Sequence, residues 1–298
     1  MENSPKISIV VLIYNGMKWI DSCFKSVLST DYSNFDVIVV DNHSSDEGVQ
    51  YIKNAFPAVH VIENSKNLGT AIGYNIGIKA ALNAGADFVM LLNQDITVSS
   101  NWLSELIKVA RADENIGILS PIQYDYSGNH IDSGFETILK KTEYFDDCKV
   151  NKLKDCYETD CVIFASALIK KDVFKAVGFL DEMYFIYYED LDFCRRAMFK
   201  GYKLVLVSHC RVNHNHSARD VNTLPEKIRY LIKRNEMILL LKDPNYGFFY
   251  NLKNVFVWKS WKKEFEAVGL RFKHRLKVFF FLFVYLVVIY CRYRKVIK

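Results

Sequence analysis

Three runs of apolar, largely β-branched residues limit what this chain can fold into: ISIVVLI at 7–13, DVIVV at 36–40 and FVMLL at 88–92. None of them alternates polar with apolar residues, so each reads as a strand covered on both faces. Between them the apolar spacing changes. From Lys18 to Leu28 it falls at 19, 20, 23, 24, 27 and 28, which is helical. A helix at about 46–55 leads to a short third strand at 59–62, and a helix at 70–83 leads to the fourth at 87–92. Trp102–Ala112 reads as a further helix, with Ser99, Ser100 or Asn101 as its cap. Strand and helix in strict alternation predict an α/β fold with a mainly parallel sheet flanked by helices. Such sheets bind ligands beyond the carboxyl ends of their strands.

The rest of the chain is less periodic. Residues 113–160 mix Gly, Asp, Tyr and Lys and are expected to give strands and loops. A strand and helix follow at 161–180, a helix at 189–200, a strand at 203–207 and a helix from Pro225 to Leu241. A boundary near Leu224–Pro225 or Asp243–Pro244 divides 1–224 from 225–298, with the halves of the first part meeting at about 112. The 298 residues suffice for one large domain or a domain with an appendage. Seven cysteines without a CxxC pair fit reduced thiols in a cytoplasm. The first residues lack the basic and long apolar regions of a signal peptide.

Polar residues gather at the strand ends. Strand one ends at Tyr14-Asn15-Gly16, strand two at Asp41-Asn42-His43-Ser44-Ser45-Asp46, strand three leads into Asn67-Leu68-Gly69 and on to Gly73 and Gly77, and strand four ends at Asn93-Gln94-Asp95. Singly, each has a structural reading: turn chemistry at Asn15-Gly16, a helix cap at Ser44 or Ser45, close helix packing at Gly73 and Gly77. Together, on one sheet edge, they suit a nucleotide. Asp41 can accept from a base N–H or a ribose hydroxyl, the glycines allow close backbone approach, and Asp95 can hold a divalent cation that bridges phosphates. The first turn, YNGMKW, lacks GxGxxG, and no GxxxxGK[ST] occurs, which disfavours a dinucleotide enzyme or a P-loop NTPase.

The string VVLIYNG, VVDNHSSD, NLGTAIGYNIG, LLNQD resembles the nucleotide-sugar-binding half of glycosyltransferase family 2, in its rhamnosyltransferase-like branch of bacterial surface-polysaccharide enzymes. The likeness covers roughly residues 6–240 and implies the GT-A fold. It implies that Asp41 contacts the base and that Asp95 is the last acid of a DxD-type motif, ligating Mn²⁺ or Mg²⁺. Tyr14, Asn15, Asn67, Gly69, Gly73, Asn93 and Gln94 are then candidate contacts to a UDP- or dTDP-sugar. Asn93 departs from the pattern, where many relatives carry an acid.

A second acidic cluster lies in GFLDEMYFIYYEDLDFCRRA, residues 178–197. Acids suit a helix's first turn, and Asp192 can pair with Arg195 or Arg196. Asp190, after an aromatic run that can wall a pocket, can act as general base toward a sugar hydroxyl. The resemblance agrees: this is the family's acceptor-side signature, with Asp190 as the base and Glu189 beside it. It also implies a metal or diphosphate contact from His214, in better register than His216, and a basic residue near the site at Arg234, whose alternative is a solvated helix face.

Residues 252–298 hold twelve Lys and Arg against two acids, leaving the remainder net acidic. Within them Val278–Cys291 runs 14 residues without a charge, between RFKHRLK and RYRKVIK. A bilayer span needs about 20 residues. The basic flanks favour a helix lying in, or dipping into, an anionic leaflet, with an amphipathic stretch at Phe256, Val257, Trp258, Trp261 and Phe265 before it. Nucleic acid would not explain the apolar run. The expectation is an inverting, peripheral glycosyltransferase on the cytoplasmic membrane face, acting on a lipid-linked glycan in polysaccharide or O-antigen synthesis. The alternative is a non-catalytic GT-A-like binding module. A nucleotidyltransferase would need a basic Gly-rich phosphate loop near the N-terminus.

Overall fold

The computed structural model describes residues 4–215, 221–255 and 258–297. The first half alternates as expected: β1 (Ile7–Ile13), α1 (Met17–Leu28), β2 (Phe35–Asp41), α2 (Gly48–Ala55), β3 (His60–Glu63), α3 (Gly69–Asn83), β4 (Phe88–Asn93), β5 (Ile96–Val98) and α4 (Trp102–Ala112). Then come β6 (Ile116–Tyr124), α5 (Ser133–Leu139), α6 (Tyr144–Lys149), β7 (Cys156–Glu158), β8 (Ser166–Lys170), α7 (Lys171–Val177), α8 (Glu189–Phe199) and β9 (Lys203–His214). After them the described residues form α9 (Glu226–Lys242), α10 (Phe248–Val255), α11 (Trp258–Ala267) and α12 (Phe272–Ile297).

Among the described residues one sheet carries all nine strands in the order β3-β2-β1-β4-β8-β6-β9-β5, with β7 beside β9. β1 to β4 are parallel. β8 runs antiparallel between β4 and β6, while β9 is parallel to β6. The unbroken apolar runs are explained by cover on both faces. Ile7, Ile9, Val11 and Ile13 pack on α1, α2 and α4. Val10, Ile38, Val40, Val89 and Leu91 face α3 and the helices of the second half. Register then makes the edge: Ile13 lies opposite Asp41, Leu12 opposite Asn93, and Asp41 opposite Glu63.

Three expectations are corrected. Residues 113–160 contain two short helices, α5 and α6, beside their strands. The strand expected at 203–207 continues to His214: Pro121 pairs with Val207 and Ile122 with Arg211, so residues 208–210 form a bulge within β9, where Ser208 and His209 break the apolar pattern. Trp261 and Phe265, expected in an amphipathic stretch beside a membrane helix, turn their side chains inward, buried and stacked at 5.8 Å in a core that α9 to α12 share with Tyr184. Phe256 and Val257 lie outside the described residues.

α12 is 26 residues long, and by length and composition it could cross a membrane. One face, with Val278, Leu282, Ile289 and Tyr293, packs into that shared core. On the other, Phe280 and Phe283 are 68% exposed and Val287 72%.

Candidate active site

The level strand ends are tied into a rim by their own side chains. Asp41 is buried, and its carboxylate accepts from the Ser44 amide at 3.1 Å and from Ser44 Oγ at 2.5 Å. Ser44 Oγ in turn accepts from the Asn15 amide, and Asn15 Oδ1 accepts from the Ser45 amide at 2.7 Å. Gln94 clamps strand one: its Oε1 accepts from Tyr14 N at 2.9 Å and its Nε2 donates to Tyr14 O at 3.1 Å. Asn67 Oδ1 receives the Gly69 amide at 2.9 Å. Gly69 has φ +82°, and a Cβ there would meet Phe185 O at 2.3 Å, so this turn tolerates glycine alone. Gly73 is buried, with a would-be Cβ 2.6 Å from Leu12 Cδ1, which fits close helix–strand packing. Among these groups lies a cleft of about 220 Å³ lined by Tyr14, Asn67, Gly69, Thr70, Asn93 and Asp95, with the half-exposed Tyr14 at its mouth.

Asp95 sits where the chain leaves β4 and enters β5. β5 pairs antiparallel with β9, setting Ile96 opposite His214. That register brings His214 Nε2 to 3.5 Å from Asp95 Oδ1. Asn93 Oδ1 accepts from Tyr74 Oη at 2.8 Å, so the amide is held by α3.

A larger recess of about 540 Å³ adjoins this cleft across Thr70, Asn93 and Ile186. Tyr187, Tyr188, Glu189, Asp190, Asp132 and His214 line it. Glu189 is buried, and its Oε2 has no hydrogen-bond partner among the described residues. Burial, then the neighbouring Asp190 charge, push its carboxyl up to about 8. Asp190 is half-buried, and its carboxyl is also raised by burial, against the backbone amides of Leu191 and Phe164.

The aromatic segment carrying these acids is bolted to α9. Lys242 Nζ lies 2.5 Å from both Asp181 and Asp192, Arg196 Nε is 2.8 Å from Asp192, and Arg292 of α12 also pairs with Asp181. Burial raises the Asp192 carboxyl, but Lys242 and Arg196 outweigh it and hold the group below its usual value. Arg195 turns instead to Asp243, at 2.8 Å.

A sequence model of glycosyl transferase family 2 matches residues 8–178, more than half of the chain. The chain belongs to glycosyl transferase family 2. It is 26% identical over 219 residues to the dTDP-rhamnosyl transferase RfbF of Shigella flexneri, covering 70% of this chain and 72% of that one. It is 26% identical over 194 residues to the low-salt glycan biosynthesis hexosyltransferase Agl10 of Haloferax volcanii, covering 64% and 61%. The fold resembles that of the mannosyltransferase PcManGT of Pyrobaculum calidifontis, solved with GDP-Man and Mn²⁺, at TM-score 0.62 and 14% identity over 99% of this chain and 86% of that one. It resembles S. aureus TarS 1–349, solved with UDP, at TM-score 0.59 and 15% identity over 91% and 77%. The protein is a glycosyltransferase of GT-A fold.

In this glycosyltransferase the predicted residues fall into five groups. Tyr14, Asn67, Gly69, Asn93, Gln94 and Asp95 line the smaller cleft; Asn93, Glu189, Asp190 and His214 line the larger recess. Asn15 and Asp41 build the loop behind the cleft, and Gly73 lies in the core. Arg234 lines neither space. It donates to Met183 O at 2.9 Å and stacks over Phe281 of α12 at 5.0 Å. His216 lies outside the described residues. One residue went unread in the sequence. Asp132 lines the recess and caps α5 through the Gly134 and Phe135 amides at 2.9 and 3.0 Å; Asp-Ser-Gly before an apolar run was its signal.

Proposed function

We propose that the protein is an inverting, metal-dependent sugar transferase. It uses a UDP- or dTDP-sugar, with rhamnose or another hexose or N-acetylhexosamine as donor sugar. Its acceptor is a lipid-linked oligosaccharide of surface-polysaccharide or O-antigen synthesis, at the cytoplasmic face of the membrane. Residues 1–224 form the catalytic unit and 225–298 the membrane-associating part. The observation that carries this reading is the placement of Asp190 on a recess that opens onto the cleft of Tyr14 and Asp95. The donor nucleotide lies along the strand ends, and the acceptor hydroxyl lies against Asp190. Burial makes that carboxylate a stronger base than an exposed one. It takes the hydroxyl proton, the oxygen attacks the anomeric carbon from the face opposite the diphosphate, and the bond to the diphosphate breaks. Glu189, holding a proton near neutral pH, leaves a single negative charge at this end of the recess.

Two donors on one cation at about 2.1 Å stand about 3.0–3.5 Å apart. The 3.5 Å between Asp95 Oδ1 and His214 Nε2 suits that, and they are the residues that would hold Mn²⁺ or Mg²⁺. When bound, the ion supplies positive charge for the departing diphosphate. No group of three His, Cys, Asp or Glu gathers among the described residues, so the rest of its shell would come from water and the donor rather than from these side chains. The exposed Phe280, Phe283 and Val287 face of α12 and the basic residues at its ends support membrane association. A donor screen by mass spectrometry with a lipid-linked acceptor tests the whole. Asp190→Asn should abolish transfer and keep nucleotide binding; normal turnover by that variant would exclude Asp190 as the base.

A further inference from the structure

Tyr187 and Tyr188 adopt φ of +66° and +74°, two consecutive bulky residues in the left-handed region. Such residues seldom take this conformation unless their surroundings enforce it. They immediately precede Glu189 and Asp190, the first residues of α8. The direction in which Asp190 leaves the backbone is therefore set by this turn.

The enforcing group is on α9. Asn235 is fully buried, and its Nδ2 donates to Ile186 O at 2.8 Å and Tyr187 O at 2.9 Å. Its Oδ1 accepts from Arg234 Nε at 3.0 Å and Nη2 at 2.7 Å. Those bonds fix the amide's orientation, with oxygen toward the guanidinium and nitrogen toward the turn. Arg234 is itself anchored on Met183 O and on the Phe281 ring. A carboxylate of the same shape cannot donate to the two carbonyls, and an apolar side chain can do neither.

We infer that Asn235 is a positioning residue for sugar transfer: it locks the Tyr187–Tyr188 turn so that Asp190 faces the acceptor hydroxyl. Arg234 braces Asn235 and does not touch substrate. The inference rests on Asp190 as the base. The clamp reaches the donor cleft only at Ile186, whose carbonyl it holds; the rest of that cleft's lining comes from the strand ends, from Asn67, Gly69 and Thr70, and from Phe185.

The test compares Asn235→Ala and Asn235→Asp with wild type in the full-length protein. It measures kcat per folded molecule, donor affinity by calorimetry, and amide exchange over residues 184–190. Misplacing a catalytic group by about 1 Å can cost about a hundredfold in rate. Both variants should lose about ten- to a hundredfold in kcat with donor affinity within about twofold of wild type, and exchange over 184–190 should rise. Tyr188→Gly added to Asn235→Ala should recover part of that loss, because glycine holds positive φ without the clamp. Two results overturn the proposal: unchanged kcat per folded molecule with only a lower melting temperature, or a fall in donor affinity as large as that in kcat. Asp190→Asn separates the two readings. If it turns over normally the base assignment fails. If it is dead while both Asn235 variants behave as wild type, only the clamp fails.

Discussion

Replacing Glu189 with glutamine should change how stability depends on pH. The side chain is 6% exposed, and one carboxyl oxygen has no hydrogen-bond partner among the described residues. Its folded pKa is raised from 4.5 to about 8. Between those values the folded state holds a proton that the unfolded state has released, so stability falls as pH rises. The stabilising proton is fully present below 4.5 in both states and is lost from the folded state through about 8. Each unit is worth about 1.4 kcal/mol. From pH 5 to pH 8 the wild type should therefore lose about 3 kcal/mol through this group, beyond what its other acids contribute. Glutamine keeps the shape and cannot ionise. Urea unfolding in detergent at constant ionic strength, from pH 5 to 8.5, reads both slopes. The variant should match wild type near pH 5 and exceed it by about 3 kcal/mol at pH 8. Parallel curves would mean that Glu189 is ionised in the folded protein at neutral pH, and the single-charge description of the recess would fall.

Lys242→Met leaves Asp181 and Asp192 buried beside the two remaining arginines. It should cost about 3 kcal/mol, seen as a lower unfolding midpoint, and a midpoint within error of wild type would refute the ionic account. Gly69→Ala must move Phe185 or distort a φ of +82°. It should cost about 1–3 kcal/mol and depress turnover, and wild-type turnover would exclude a fixed turn there. Glutamates at Phe280, Phe283 and Val287 should weaken partitioning onto anionic vesicles at least tenfold, about 1.4 kcal/mol, without lowering the melting temperature, because those side chains face outward. Unchanged partitioning in a flotation assay would exclude this face from the membrane.

The strands of the first half were legible because burial on both faces leaves an unbroken apolar run, as in ISIVVLI. Asp190 and Asp95 were legible as acids placed just after such features. Partnership was not. Asp95 meets His214 only because β5 and β9 pair across more than a hundred residues, and no local pattern encodes that register. Asp41 and Gln94 read as ligand contacts; that they also hold the protein's own loops was not legible, since a polar side chain serves either purpose. Arg234 read either as a basic residue near the site or as a solvated helix face; that it and Asn235 hold carbonyls of a segment some fifty residues earlier was not legible, because no local pattern encodes such contacts. The polar bulge in β9 hid half of that strand.

The antiparallel seating of β8 between β4 and β6 bears on how the chain is made. β1 to β4 can assemble from one continuous stretch, but the outer edge of β4 is closed only by β8. Residues 94–165 separate the two strands. At about 5–20 residues per second the ribosome needs about 4–14 s to supply them. Throughout that interval the nascent half presents an apolar strand, Phe88–Leu92, with its backbone donors and acceptors unmet on one side. The central position that levels the binding edge in the finished enzyme thus makes the same strand the point at which a half-made chain is most exposed to pairing with a neighbour.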